Sequence, residues 1–162
     1  MSGTLRVHEI YLSLQGESTF AGLPCVFIRL TGCDLRCSYC DTAYAFTGGE
    51  KLTLDSVLKQ TMALAEGYPD PPLVELTGGE PLLQKETPAL LAALADRGFT
   101  VLLETSGAHD ISGVDTRVHR IVDLKCPSSG ESERNLPANL HHLRASDEVK
   151  CVIGTREDYD WA

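Results

Sequence analysis

Val26-Phe27-Ile28-Arg29-Leu30-Thr31-Gly32-Cys33-Asp34-Leu35-Arg36-Cys37-Ser38-Tyr39-Cys40 is the stretch on which the fold turns. A short β-branched and aromatic run, Val26 to Leu30, breaks at a glycine and gives way to three cysteines spaced C-x3-C-x2-C. Continuous apolar runs of this length read as strands buried on both faces, the habit of parallel sheets. The cysteines therefore occupy the loop that leaves the end of a buried strand.

The same pattern recurs along the chain. Leu73–Leu76, Val101–Leu103, Ile121–Leu124 and Val149–Ile153 read as further buried strands. Between the first two strands, Leu54, Val57, Leu58, Thr61, Met62 and Ala65 keep helical spacing and Gly67 stops the helix. Between the next two, Thr87 reads as an N-cap with Pro88 behind it, Leu90, Leu91 and Leu94 form a stripe, and Gly98 ends it. This βαβα alternation defines an α/β fold, here a partial, incomplete parallel β/α barrel. Each strand runs into polar, glycine- or cysteine-containing sequence: Thr31-Gly32-Cys33, Thr77-Gly78-Gly79-Glu80-Pro81, Glu104-Thr105-Ser106-Gly107, Lys125-Cys126-Pro127-Ser128-Ser129-Gly130 and Gly154-Thr155. In a parallel barrel such segments open on one face, where active sites are built, so these loops converge on one pocket.

The 162 residues carry 14 Lys+Arg against 23 Asp+Glu, a net charge of −9. That balance argues against nucleic acid and anionic membranes as partners, since both require basic surface. The longest apolar run, Ala89 to Ala95, falls far short of the about 20 residues that span a bilayer. Arg6 and Glu9 stand where a signal peptide needs an apolar core, so a cytoplasmic location is expected. In that reducing compartment, clustered cysteines read as metal or redox ligands rather than disulfides. Cys25 and Cys151, in apolar strand contexts, read as core packing.

Three thiolates on one loop can hold three irons of a cubane cluster and leave the fourth iron open to another ligand. A structural zinc site wants a fourth protein ligand, and His141-His142 is remote and lacks finger-like spacing. In the Gly78-Gly79-Glu80-Pro81 turn, glycines allow close backbone approach, and carbonyls with a carboxylate suit an ammonium group. Taken alone, such a turn is more often a tight βα connection than a site. Together, the cysteine loop and this turn one strand later resemble the radical S-adenosylmethionine (SAM) superfamily. The resemblance implies a barrel of the radical SAM type, with residues 1–162 as a single radical SAM core domain. Members of the family extend well beyond the position of Ala162, and the last candidate helix starts only near Glu157. The chain therefore reads as a truncated core lacking the expected C-terminal extension.

Within that superfamily, Leu14-Gln15-Gly16-Glu17, Arg29, and Asp41-Thr42 directly after the third cysteine resemble the 7-carboxy-7-deazaguanine synthase family, from about Val7 to the end of the chain. The resemblance implies a lyase of queuosine biosynthesis. In that reaction one-electron cleavage of SAM initiates ring contraction of 6-carboxy-5,6,7,8-tetrahydropterin, with loss of ammonia. It implies a [4Fe-4S] cluster on Cys33, Cys37 and Cys40, SAM, and Mg2+ on Thr42. It also implies an external one-electron donor such as flavodoxin or ferredoxin, and a homodimer. Leu14, Gln15, Gly16, Glu17, Arg29, Thr77 and Glu104 correspond to substrate positions. Tyr39, Cys40, Asp41, Gly79, Glu80, Ser106, Lys125, Cys126 and Ser128 correspond to positions around SAM, although the division of roles among Glu104, Ser106, Lys125, Cys126 and Ser128 stays open. Chemically, Gln and Glu can read the donor and acceptor edge of a pterin and Arg29 can grip a carboxylate. Thr42 as a plain turn cap and Cys126 as a packing residue remain alternatives.

Two other functions fit parts of the pattern. A small radical enzyme such as a glycyl-radical activating enzyme shares the cysteine loop and glycine turn but has no use for Gln15, Glu17, Arg29 and Thr42 together. A non-catalytic zinc-binding module would use the cysteines alone.

Overall fold

A computed structural model describes residues 3–68, 70 and 72–162. Seven strands form one sheet in the order β3-β1-β2-β4-β5-β6-β7, with β1 Thr4–Leu14, β2 Pro24–Leu30, β3 Glu50–Thr53, β4 Leu73–Gly78, β5 Val101–Thr105, β6 His119–Asp123 and β7 Glu148–Lys150. Strands β2, β4, β5, β6 and β7 run parallel, as the apolar runs imply. The expected partial parallel β/α barrel is present as an open, mostly parallel seven-stranded sheet.

Two strands were not anticipated. β1 pairs antiparallel with both β2 and β3. Its apolar residues do not alternate simply, because the register shifts between Val7 and Glu9. A bulge adds one residue and flips the parity of everything after it. Leu5 and Val7 before it and Ile10 and Leu12 after it thus pack on the same core, while Glu9 and Tyr11 take the opposite face. The last strand is shorter than the expected Val149–Ile153, since residues after Lys150 pair with no further strand among the described residues.

Helices α1 (Leu54–Ala65) and α2 (Thr87–Ala95) cover one face of the sheet, burying Leu54, Val57 and Leu58 with Leu90, Leu91 and Leu94. Thr53 caps α1 by accepting from Ser56 N at 3.1 Å. Met62 in the expected stripe is exposed. Thr87 is the first residue of α2 rather than its cap, and its hydroxyl donates to Pro81 O at 2.6 Å, tying the helix to the preceding turn. Among the described residues no α-helix lies between β5 and β6 or between β6 and β7, so that part of the sheet is covered by loops and short 3-10 turns pinned on an ion pair. Arg120, only 3% exposed, donates to Ile111 O at 3.1 Å and pairs with Asp147, which also holds Arg144. A short helix α3, Arg156–Trp161, closes on the turn at 127–129 through Asp158, which accepts from Ser128 N and Gly154 N, each at 2.9 Å.

The opposite, concave face holds a smaller apolar floor of Cys25, Phe27, Leu73, Leu102 and Ile121. The β1–β2 loop spans this floor: Phe20 meets His119 edge-on and Thr19 Oγ1 donates to Glu148 at 2.7 Å. The hairpin loop thereby links the β1–β2 side of the sheet to β7 and curls it into an incomplete barrel. No helix among the described residues is long and apolar enough to cross a membrane.

Burial would raise the Asp147 carboxyl, but Arg120 and Arg144 outweigh it and hold it at about 2. A carboxylate depressed in this way stabilises the fold above the ordinary aspartate range, and that contribution is lost as pH falls toward about 2. Asp147→Ala, which leaves Arg120 buried and unpaired, is expected to cost about 3–5 kcal/mol in urea unfolding at neutral pH. The variant should also lose the part of the acid dependence below about pH 4 that this group contributes.

Candidate functional site

At the C-terminal ends of the parallel strands lies one cavity of about 460 Å3. The cysteine loop forms one wall. Leu35 is buried to anchor it, Ser38 N donates to Ser129 O at 2.9 Å, and Arg36 N donates to Glu131 at 2.6 Å. Asp34 is held by His109 at 3.0 Å and by Arg134 at 2.6 Å. Cys33, Cys37 and Cys40 all line the cavity as free, half-buried thiols. Burial pushes the Cys33 and Cys37 thiols above their ordinary value.

The glycine turn backs directly onto this loop. Gly79 N donates to Leu30 O at 3.1 Å and Glu80 N to Gly32 O at 2.7 Å. A Cβ on Gly79 would stand 2.0 Å from Gly32 O, so only glycine admits this contact. Gly78 holds φ +148, and a Cβ there would stand 2.4 Å from Leu30 O. Glu80 is fully buried and its carboxylate does not line the cavity. It accepts from Ser106 N at 2.7 Å, Leu82 N at 2.8 Å and Thr105 Oγ1 at 2.9 Å, which locks the end of β5 against β4. The expected carboxylate for a ligand ammonium is thus spent inside the protein, and the backbone of the turn is what faces the cavity.

The same cavity is lined by Gln15, Gly16, Glu17, Arg29, Thr77 and Glu104, brought together from the hairpin loop and three strands. Arg29 is pre-set by Glu9 at 2.8 Å and Tyr11 OH at 3.0 Å. Thr77 donates to Glu104 at 3.0 Å. Leu14 lies outside, its side chain 64% exposed and not lining the cavity. Tyr39, Asp41, Thr42, Ser106 and Lys125 also line it. The Tyr39 hydroxyl is buried without a partner of hydrogen-bonding geometry. Thr42 is the N-cap residue of the turn Ala43–Phe46, its carbonyl accepting from Ala45 N at 2.9 Å while its side chain makes no capping bond. Its hydroxyl lies 3.8 Å from Cys40 Sγ. Cys126 is fully buried behind the cavity, and Ser128 is committed to Asp158; neither lines it.

Sequence reasoning missed three charged residues that complete the site. Lys150 Nζ lies 2.9 Å from Glu17, 3.4 Å from Asp123 and in contact with Glu104. Asp123 also pairs with Lys125. Burial would lower the Lys150 ammonium, but Asp123 and Glu104 outweigh it and keep it charged. Lys150 and Thr77 likewise hold Glu104 below its ordinary range against burial. Glu75, in mid-β4, is 3% exposed, and Gln15 Nε2 donates to its Oε2. Burial, with the charge of Glu104, pushes Glu75 up to about 8. All three were visible as charges inside otherwise apolar strand runs, a pattern that buried polar sites produce.

Among the described residues no three His, Cys, Asp or Glu converge tightly enough to hold a single metal ion. Ligands of one tetrahedral ion crowd within about 4 Å of each other, whereas thiolates that each bind a different iron of a cubane stand further apart. Three free thiols on one wall of a partly enclosed cavity, beside a glycine cradle and the buried Tyr39 hydroxyl, fit a cluster and an adenosyl ligand.

Comparison with known proteins agrees with this arrangement. Residues 27–128 match the model of the radical SAM superfamily. The chain is 46% identical over 159 residues to the 7-carboxy-7-deazaguanine synthase of Koribacter versatilis, covering 98% of this chain and 69% of that protein. It is 48% identical over 162 residues to the 7-carboxy-7-deazaguanine synthase of Chlorobaculum tepidum, covering 98% of this chain and 71% of that protein. The crystal structure of QueE from Escherichia coli superposes with TM-score 0.81 at 25% identity, over 97% of this chain and 75% of that one. The chain belongs to the radical SAM superfamily, whose members bind a [4Fe-4S] cluster and SAM. Within it, the chain belongs to the 7-carboxy-7-deazaguanine synthase family.

Gly79→Ala is expected to push Gly32 and Cys33 off their positions. Iron and acid-labile sulfide per chain after anaerobic reconstitution should fall to roughly half or less of the wild-type content.

Proposed function

We propose that this chain converts 6-carboxy-5,6,7,8-tetrahydropterin to 7-carboxy-7-deazaguanine, the carbon–nitrogen lyase step of queuosine biosynthesis. The observation that carries it is the meeting of Cys33, Cys37 and Cys40 with Gln15, Glu17 and Arg29 on one cavity, in a chain close in sequence to synthases of that name. Substrate and product differ by the nitrogen and hydrogens that leave as ammonia, so the overall conversion needs no net oxidant.

Cys33, Cys37 and Cys40 would hold the cluster, and the Gly79 backbone with Tyr39, Asp41, Ser106 and Lys125 would surround SAM. Bound together and reduced by an external one-electron donor, these groups supply a 5′-deoxyadenosyl radical. The protein's work is to bind, orient and exclude water. Arg29, already oriented by Glu9 and Tyr11, offers Nη atoms for the substrate carboxylate with little further ordering cost. Thr42, whose side chain makes no capping bond, would complete a Mg2+ site whose other oxygens come from that carboxylate and water. Gln15, Glu17, Thr77 and Glu104 would face the pterin ring. The six free cysteines accord with a cytoplasmic setting.

The test is product mass spectrometry after anaerobic reconstitution and incubation with reductant, SAM, Mg2+ and 6-carboxytetrahydropterin. 7-Carboxy-7-deazaguanine is the expected product; 5′-deoxyadenosine alone would refute the substrate. Arg29→Ala is expected to raise KM for the pterin by about tenfold to a hundredfold, the worth of one charge-assisted hydrogen-bonded contact, while cleavage of SAM persists.

A further inference from the structure

Glu75 lines the cavity with neither an ion-pair partner of its own among the described residues nor a place among the groups proposed to hold substrate or SAM. By register it lies between Phe27 on β2 and Leu102 on β5, on the apolar floor. The ionisable groups that face it are the Cys25 thiol from β2, Glu104 from β5, Lys150 from β7 and Glu17 from the hairpin loop. Lys150 is the sole cation among them, and it is already shared by Glu17, Glu104 and Asp123. The other cations at the cavity are spent as well: Lys125 on Asp123 and Arg29 on Glu9. A further negative charge on this floor would be buried without compensation, which proteins avoid by retaining the proton.

The Gln15 amide fixes where that proton goes. Gln15 Oε1 accepts from Glu17 N at 3.0 Å, which leaves Nε2 as the group that donates to Glu75 Oε2. Oε2 is therefore the acceptor oxygen, and the proton belongs on Oε1. A neutral carboxyl has one donor and one acceptor side by side, the complement of a cyclic amide edge. Resting on the pterin reading of the site, we propose that Glu75 is a specificity-determining residue that works as a neutral acid. It positions the Gln15 amide through Oε2 and donates from Oε1 to the ring carbonyl of the bicyclic substrate. A flat ring laid on Phe27 and Ile121 with its amide edge toward Glu75 uses both the apolar and the polar part of the floor.

Ionisation would convert the donor to an acceptor facing a carbonyl oxygen. The expected result for the reconstituted wild-type enzyme is therefore a pterin KM that rises about tenfold per pH unit once Glu75 has lost its proton, in the range above about pH 8. Glu75→Gln reproduces the neutral donor and acceptor pattern, so its KM should stay within about threefold of wild type at pH 7 and lose the alkaline rise. Glu75→Ala should raise KM about tenfold at pH 7 with kcat less affected, and Gln should restore most of that loss. The same comparison by equilibrium dialysis of the pterin reads binding apart from turnover. An alkaline rise in Glu75→Gln parallel to wild type, or a pterin KM unmoved in Glu75→Ala, overturns the assignment. Should Glu75→Ala fail to fold, the pH profile of Glu75→Gln decides alone. A wild-type enzyme that cleaves SAM but neither binds nor converts the pterin would overturn the substrate reading and this inference together, an outcome distinct from any seen only in the variants.

Discussion

The contact of Gly79 with the carbonyl of Gly32 holds the rest of the site in place. Parallel pairing of β2 and β4 runs to Leu30 and Gly78, and the backbone continues beyond it through Gly79 N to Leu30 O and Glu80 N to Gly32 O. The cysteine loop is thereby seated against the end of the neighbouring strand with no side chain between them. Glu80, buried by that same turn, carries the constraint to Thr105 and Ser106. Three strand ends are thus fixed to one another, β2 to β4 by backbone contacts and β4 to β5 by the buried Glu80 carboxylate.

An acidic protein builds this cavity from pairs rather than from a surplus of one charge. Each cation that lines it has a carboxylate partner: Arg29 with Glu9, Lys125 with Asp123, and Lys150 with Glu17, Glu104 and Asp123. An unpaired charge at such burial costs several kcal/mol, so paired charges are the arrangement a partly enclosed site can hold before ligands enter. These pairs also bind the hairpin loop to β7, so the electrostatics of the site and the closure of the incomplete barrel are one network.

The parallel core, the two covering helices and the loop that carries the thiols were legible because each depends on short-range pattern. Apolar runs, a cap beside a stripe, and glycines at strand ends act within a few residues. The antiparallel β1 was hidden by a bulge that broke its alternation, and the shortened β7 by the lack of a pairing partner. Leu14, Cys126 and Ser128 sit in the right segments but face away from the cavity or are committed to other partners, a matter of side-chain direction that spacing alone does not reveal.

By itself the sequence determined the chemistry: three thiols after a buried strand, a glycine turn one strand later, and a polar hairpin with an arginine in the strand that follows it. Those are properties of residue type and local spacing. Only the tertiary structure decided that Glu80 is a strut, that Lys150 is shared among three carboxylates, and that Glu75 lies on an apolar floor under Gln15. Burial and charge pairing arise from residues far apart in the chain, and they exist only once the sheet has brought those residues together.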